Sequence, residues 1–388
     1  MTRFLIVIAG ISFASSLFVR MTDPMVPQIA ADLRVDVQAA ALLGTAFALP
    51  WALMQPILGP LGDLVGKTRV ITTCVVILGV SAVIGALAPN FEVLLVSRII
   101  AGAAGGGVFP VSVALIGDRV PMQTRQVAIG RLLIGSVTGM LVGATGAGVL
   151  ADFIGWRAVF VAVAIAMAFA AVGAMLGLRE PPSETPRRLD FASVLSNYGQ
   201  VFRNPRAKIC YAAVFVEGVA LFGLFPYVAL LLGRIGETRA SIAGLVLAGF
   251  AIGGIIYSLS IGRLVARFGQ RRIMIAGGCI AAAALLVEAA LPPWPVQLAA
   301  LTLMGFGFFL LHGSIQVQMT ELAPNARGTA VSMHSFSYFM GQAAGPLAYW
   351  AGIATIGPSA TLAIGAAIMA AVGFTVARLL HGPAPPRI

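Results

Sequence analysis

The chain has 388 residues, 59% of them hydrophobic and 10% charged, with a formal net charge of +11 and a mean hydropathy of +0.96. A water-soluble domain carries about a quarter charged residues, so a soluble enzyme or a soluble binding module is excluded. Apolar runs of the roughly 20 residues needed to cross a bilayer recur along nearly the whole length.

Twelve such spans are predicted, at 4–27, 38–60, 70–88, 93–116, 126–150, 157–178, 209–232, 241–262, 273–291, 296–320, 329–353 and 358–380. The first has the apolar run of a signal peptide, but it continues to Arg20 and Asp23 without a small-residue cleavage site and is kept as a helix. Between the second and third spans stands GPLGDLVGKTR, residues 59–69, a polar hinge in an oily protein, and GRLVARFGQRR at 262–272 echoes it 203 residues later. After the sixth span the composition changes. Residues 179–208, opening REPPSETPRRLD, are too polar to enter lipid and form a linker between an N-terminal part, 1–178, and a C-terminal part, 209–388.

The two parts match in detail. Asp118 aligns with Glu321 and Pro121 with Pro324 at an offset of 203, and Arg125 with Arg327 and Gly143 with Gly345 at 202. A duplication of this length implies parallel repeats. The predicted fold is an all-α membrane protein, twelve transmembrane helices in two pseudo-symmetric six-helix bundles with a cavity between them.

Topology accounts for the basic excess. With both termini on the cytoplasmic side, eighteen of the 25 Lys and Arg residues face the cytoplasm. Four (Arg34, Arg157, Arg234 and Arg239) face outward, and three (Arg20, Arg98 and Arg131) fall inside spans. That is the positive-inside distribution of a multi-pass inner-membrane protein, not a nucleic-acid patch. Cys74, Cys210 and Cys279 lie in apolar runs with no CxxC or Cys/His ligand spacing, so no disulfide framework or metal site is expected.

An ionisable group inside the membrane needs a partner or a water-filled cavity. Counting about 1.5 Å per residue sorts these groups into two tiers. Arg20, Asp23 and Arg98 fall in an outer tier. Arg131, Glu217, His312 and His334 fall in an inner one. Asp23, Glu217, His312 and His334 are the candidates for binding a coupling proton. A fixed ion pair for Asp23, a structural hydrogen bond for Glu217 and packing histidines are the plainer alternatives. Glu217 has no basic partner three or four residues away on its own helix, so a partner across the cavity or a neutral state is expected. His312 shares a helical face with Gln316, and His334 with Tyr338. Glu288 is expected at the membrane interface. Trp51, Met54, Phe222, Tyr227 and Tyr257 join Arg20, Arg98, Arg131, Gln316 and Tyr338 as candidate cavity residues, although aromatic and Met side chains at helical spacing more often pack a core.

Several motifs in joint register resemble the major facilitator superfamily, and within it the proton-coupled drug and metabolite exporters of bacteria. Gly59, Gly62, Asp63, Gly66, Lys67 and Arg69 match the family's loop between helices two and three. Gly130, Gly139, Gly143 and Gly148 lie in register with its antiporter helix, with Ala144 where the motif has proline and Ala147 where it has glycine. RIIAGAAGG from Arg98 and the Asp23–Pro27 spacing are similar to two further signatures. A carboxylate at the loop can accept from free amides at the start of another helix. The resemblance implies that Asp63 does so at the start of helix eleven, near Gly328 and Thr329, and that Lys67 pairs with Asp118. The glycines of helix five read either as close packing or as a direct coupling element.

The expectation is a non-enzymatic secondary transporter that works as a monomer in the bilayer by alternating access. Its partners are protons and a small amphipathic molecule, with export the leading direction and proton-coupled uptake of an anionic metabolite the alternative. No cofactor is expected, since no GxxxxGK[ST] stretch is present and the proton gradient supplies the energy.

Overall fold

The computed structural model describes residues 2–178, 199, 201, 203–322 and 327–380. Most of the linker expected at 179–208, together with Pro324 and the side chains of Gly59, Asp63, Arg125, Glu321 and Arg327, lies outside the described residues. The described chain is helical throughout, with α1 Thr2–Arg20, α2 Val26–Leu33, α3 Val37–Val65, α4 Lys67–Ala86, α5 Phe91–Arg119, α6 Met122–Ile154 and α7 Trp156–Gly177. It continues as α8 Pro205–Glu217, α9 Val228–Arg234, α10 Ala240–Ala289, α11 Trp294–Leu322, α12 Arg327–Ile356 and α13 Pro358–Leu379.

Ten stretches among the described residues are long and apolar enough to cross a membrane. Two features separate that number from the twelve expected. The 50 residues of α10 hold two spans, broken where Gly269 takes φ 72°. The 30-residue α12 has the length of a span but carries a polar first half, RGTAVSMHSFSY.

Local chemistry fixes the ends. The Asn90 side chain caps α5 by accepting from the Val93 amide at 3.0 Å. Asn204 does the same for α8 through the Arg206 amide at 3.0 Å, and Pro205 follows at a position where no amide is needed. Gly66, at φ 106°, separates α3 from α4 with a backbone that a side chain would strain.

Two spans expected to be continuous are interrupted. After α1 the chain passes through a 3-10 turn, Asp23–Met25, before α2. After α8 it widens into a π-helical turn, Gly218–Phe222, and then a 3-10 turn, Phe225–Tyr227, before α9. Pro24 and Pro226, 202 residues apart, sit in the two 3-10 turns, and each removes an amide from the helical ladder.

Contacts divide the chain into two compact units, one of residues 1–189 with 225–245, the other of 190–224 with 246–388. In the first, α1 packs on α6, α3 on α5, and α4 on α5 and α7. The closest approaches lie at glycines. A Cβ on Gly102 would stand 2.1 Å from the Phe47 carbonyl oxygen, and one on Gly139 2.2 Å from that of Phe13. In the second unit a Cβ on Gly305 would stand 2.0 Å from the Phe250 carbonyl oxygen, and one on Gly341 2.1 Å from that of Phe215. Each of these contacts is its counterpart shifted by 202 or 203 residues. The positive-φ residues follow the same rule, Arg34 with Gly236, Gly66 with Gly269 and Gly155 with Gly357, and Leu291 alone among those recorded has no twin. The duplication therefore reaches individual backbone angles and helix–helix contacts.

Candidate functional site

In the first unit, the end of α1 and the turn behind it gather the outer-tier charges. Arg20 Nη1 donates to Asp23 Oδ2 at 3.3 Å, and the Arg20 guanidinium lies 4.6 Å above the Phe225 ring. Arg98, on α5, is 1% exposed. Its Nη2 donates to the Phe18 carbonyl at 3.0 Å and its Nε to that of Leu43 at 3.5 Å. Its carbon centre lies 4.3 Å above the Phe47 ring, where a cation meets the negative face of the π-system. Nη1 of Arg98 has no hydrogen-bond partner among the described residues. Arg131 is exposed on α6.

The second unit holds the inner-tier cluster. Glu217, the last residue of α8, is fully buried, and its Oε2 lies 2.8 Å from Nδ1 of His312 on α11. The partner expected across the cavity is thus supplied by the same unit. This contact links residues 95 apart. The His312 ring meets that of His334 edge-on at 4.8 Å and lies 4.9 Å from Tyr338. Oε1 of Glu217 and Nε2 of His334 have no partner among the described residues. A buried polar atom left unsatisfied costs about 1–3 kcal/mol, so the cluster is poised to take up a proton, a water or a ligand group.

Aromatic rings enclose this cluster on one side. Phe222 meets Phe250, Phe308 and Tyr338 edge-on at 5.1–5.4 Å, and Phe308 stacks on His312 at 4.7 Å. Tyr257 stacks on Phe309 at 5.8 Å. Phe222, Tyr227 and Trp51 are buried, Met54 and Tyr338 are partly exposed, and Gln316 is exposed on α11. Glu288, one residue before the end of α10, is buried at 1% exposure, with Oε1 lacking a partner among the described residues.

At the other end of α5, Lys67 Nζ donates to Asp118 Oδ2 at 2.5 Å, and beside it Arg119 Nη2 donates to Thr68 Oγ1 at 3.2 Å. Gly62 packs against Val111, with Lys67 beside it. The Asp63 side chain, expected to accept at the start of helix eleven, lies outside the described residues. On α6, Gly135, Gly139 and Gly143 form a groove for the α1 backbone, since a Cβ at each would stand 2.2–2.5 Å from a carbonyl oxygen of Ala9, Phe13 or Leu17. A Cβ on Gly148 would meet the Ala240 carbonyl at 2.2 Å, whereas Gly130 faces open space.

Sequence reasoning missed the carboxylates at the end where α2, α6 and α10 meet. Asp152 accepts from the amides of Ala240 and Ser241 at 2.8 Å each. Asp32 accepts from Arg157 and, at 3.1 Å, from Trp156 Nε1. Glu237 accepts from the side chain and amide of Arg239, and those bonds hold its carboxyl down at about 2.

The model of the Major Facilitator Superfamily matches residues 8–346. The chain belongs to that superfamily. It is similar to multidrug resistance protein 1 of Bacillus subtilis strain 168, with 24% identity over 339 residues that cover 86% of each protein. It is also similar to the chloramphenicol resistance protein of Streptomyces lividans, with 25% identity over 358 residues, covering 89% of this chain and 87% of that one. Among solved structures, that of the nucleoside transporter NupG shares the fold, with a TM-score of 0.80 at 15% identity, covering 96% of this chain and 98% of the other. The protein is a multi-pass membrane transporter of the superfamily, not an enzyme, and a small molecule is its cargo.

Proposed function

We propose that this transporter exports a small amphipathic molecule by proton-coupled alternating access, and that the coupling proton binds at the Glu217–His312 pair. The single observation behind this reading is that pair, a carboxylate with no exposure, bonded at 2.8 Å to an imidazole and with its second oxygen unpartnered among the described residues. Loading one proton changes the pair's net charge by one. In a low-dielectric surrounding, that difference biases two conformations by unequal amounts, which is the requirement for coupling. His334, edge-on to His312, extends the path by one titratable group. Asp23 is the second candidate, but Arg20 already engages it at 3.3 Å.

Export is supported by the relatives, among them a multidrug resistance protein and a chloramphenicol resistance protein. Uptake of an anionic metabolite would use Arg20, Arg98 and Arg131 as a carboxylate clamp. Against it, Arg98 spends two of its donors on backbone carbonyls, and Arg131 stands exposed on α6. The proposal places the protein in the plasma membrane as a working monomer with both termini cytoplasmic, driven by the proton gradient without a bound cofactor.

The test is transport in proteoliposomes under an imposed pH gradient, with a panel of labelled amphipathic compounds. Glu217→Gln and His312→Gln are expected to exchange substrate but to fail to concentrate it, while Asp23→Asn keeps some accumulation. Accumulation by Glu217→Gln equal to that of the parent would remove the pair from the coupling role.

A further inference from the structure

We propose that Asp152 is a releasable clasp on the first turn of α10, engaged in one half of the transport cycle and broken in the other. The inference rests on the alternating-access reading but on none of the proton-binding residues.

Helix α10 spans both compact units, since residues 240–245 belong to the first and the rest to the second. Its first turn is held by the far end of α6. One oxygen of the Asp152 carboxylate accepts from the Ala240 amide and the other from the Ser241 amide, both at 2.8 Å. Gln28, from α2, donates to the same carboxylate at 3.4 Å. A helix start presents unpaired amides and the positive end of its dipole, so an anion from another helix satisfies both needs. The backbones below are equally close. A Cβ on Gly148 would stand 2.2 Å from the Ala240 carbonyl oxygen, and one on Gly244 2.6 Å from that of Ala144.

Three properties suit this contact to release. Asp152 is exposed, so water can replace either bond at small cost. The bonds join segments 88 and 89 residues apart, so their loss leaves both helices intact. The helices beneath meet backbone to backbone at two glycines, Gly148 and Gly244.

The test is cysteine labelling of the purified protein in detergent, with Cys74, Cys210 and Cys279 replaced by alanine. Ala240→Cys reports the clasp, because Ala240 is buried at 3% exposure. Ser97→Cys, buried in α5 at 1% exposure, reports general loosening. Asp152→Ala is expected to raise maleimide labelling at position 240 about fivefold and to leave position 97 protected. Asp152→Asn, which keeps one acceptor oxygen and loses the charge, gives an intermediate rise. Gly148→Ala, which wedges the helices apart without touching the carboxylate, gives a rise of its own and keeps the test open if Asp152→Ala fails to purify. Unchanged labelling at 240, or an equal rise at 97, overturns the clasp. Neither substrate nor a pH gradient enters this measurement, so it succeeds or fails independently of the proton-site reading.

Discussion

Replacing Gly102 with alanine tests the duplicated helix contacts directly. The added carbon would arrive 2.1 Å from the Phe47 carbonyl oxygen. The obstacle is backbone, so no rotamer change relieves it, and α3 must withdraw from α5 by ~1 Å in an interior packed to crystal density. Overpacking of this kind costs about 1–3 kcal/mol, and the upper end applies because the same movement stretches the Arg98–Leu43 bond and lifts Phe47 from the Arg98 guanidinium. Gly305→Ala, whose carbon meets the Phe250 carbonyl oxygen at 2.0 Å, should cost about the same. A Cβ added at Gly117, on the same helix as Gly102, would meet nothing within 4 Å among the described residues. Gly117→Ala therefore gains helix propensity, up to about 1 kcal/mol. Denaturant unfolding of the three purified variants in one detergent gives the comparison. The expected order of stability is Gly117→Ala above the parent, with Gly102→Ala and Gly305→Ala below it by similar amounts. A Gly102→Ala protein as stable as the parent, or a wide gap between the twins, would refute the argument.

The Lys67–Asp118 pair is asymmetric, since the lysine side chain is 9% exposed and the aspartate 46%. Asp118→Ala takes one acceptor from a buried ammonium and should destabilise by about 2 kcal/mol, whereas Lys67→Met leaves a carboxylate that water can solvate and should cost under about 1 kcal/mol; thermal melts in detergent separate the two. Tyr349→Phe removes the hydroxyl that donates to the Ala220 carbonyl of the π-turn at 2.6 Å, and a loss of about 1 kcal/mol is expected in the same assay. Arg239 depresses the Glu237 carboxyl, so any stability the pair adds is complete above the ordinary glutamate range and is lost as pH falls towards about 2. Arg239→Gln should return the Glu237 titration towards that range, read by carboxyl-labelled NMR in micelles.

Span positions, the internal repeat and the polar hinge were legible because each is written in consecutive residues, as apolar length, a fixed offset or a compact motif. The interruptions at Asp23–Met25 and Phe225–Tyr227 were also within reach. Pro24 and Pro226 lie in corresponding places of the two halves, and proline-broken spans at matching positions are a signal in this kind of repeat. The Glu217–His312 bond was not legible. It depends on how two helices far apart in sequence are rotated about their axes, and hydrophobic periodicity is a weak guide to rotation in spans that are apolar on every face. Asp152 was missed for another reason. It looks like an ordinary acid near a helix end, and its value comes from amides on a helix 88 residues away.

The two copies differ instructively at one layer. Trp51 on α3 lies over Gly105 and Gly106 of α5, while at the matching layer Gly254 on α10 receives the Phe309 ring of α11. The bulky ring has changed sides, although each layer is filled once. The two halves are therefore not interchangeable at this layer: a ring placed at Gly254 needs Phe309 to move aside, since a single added carbon there already falls 2.5 Å from it.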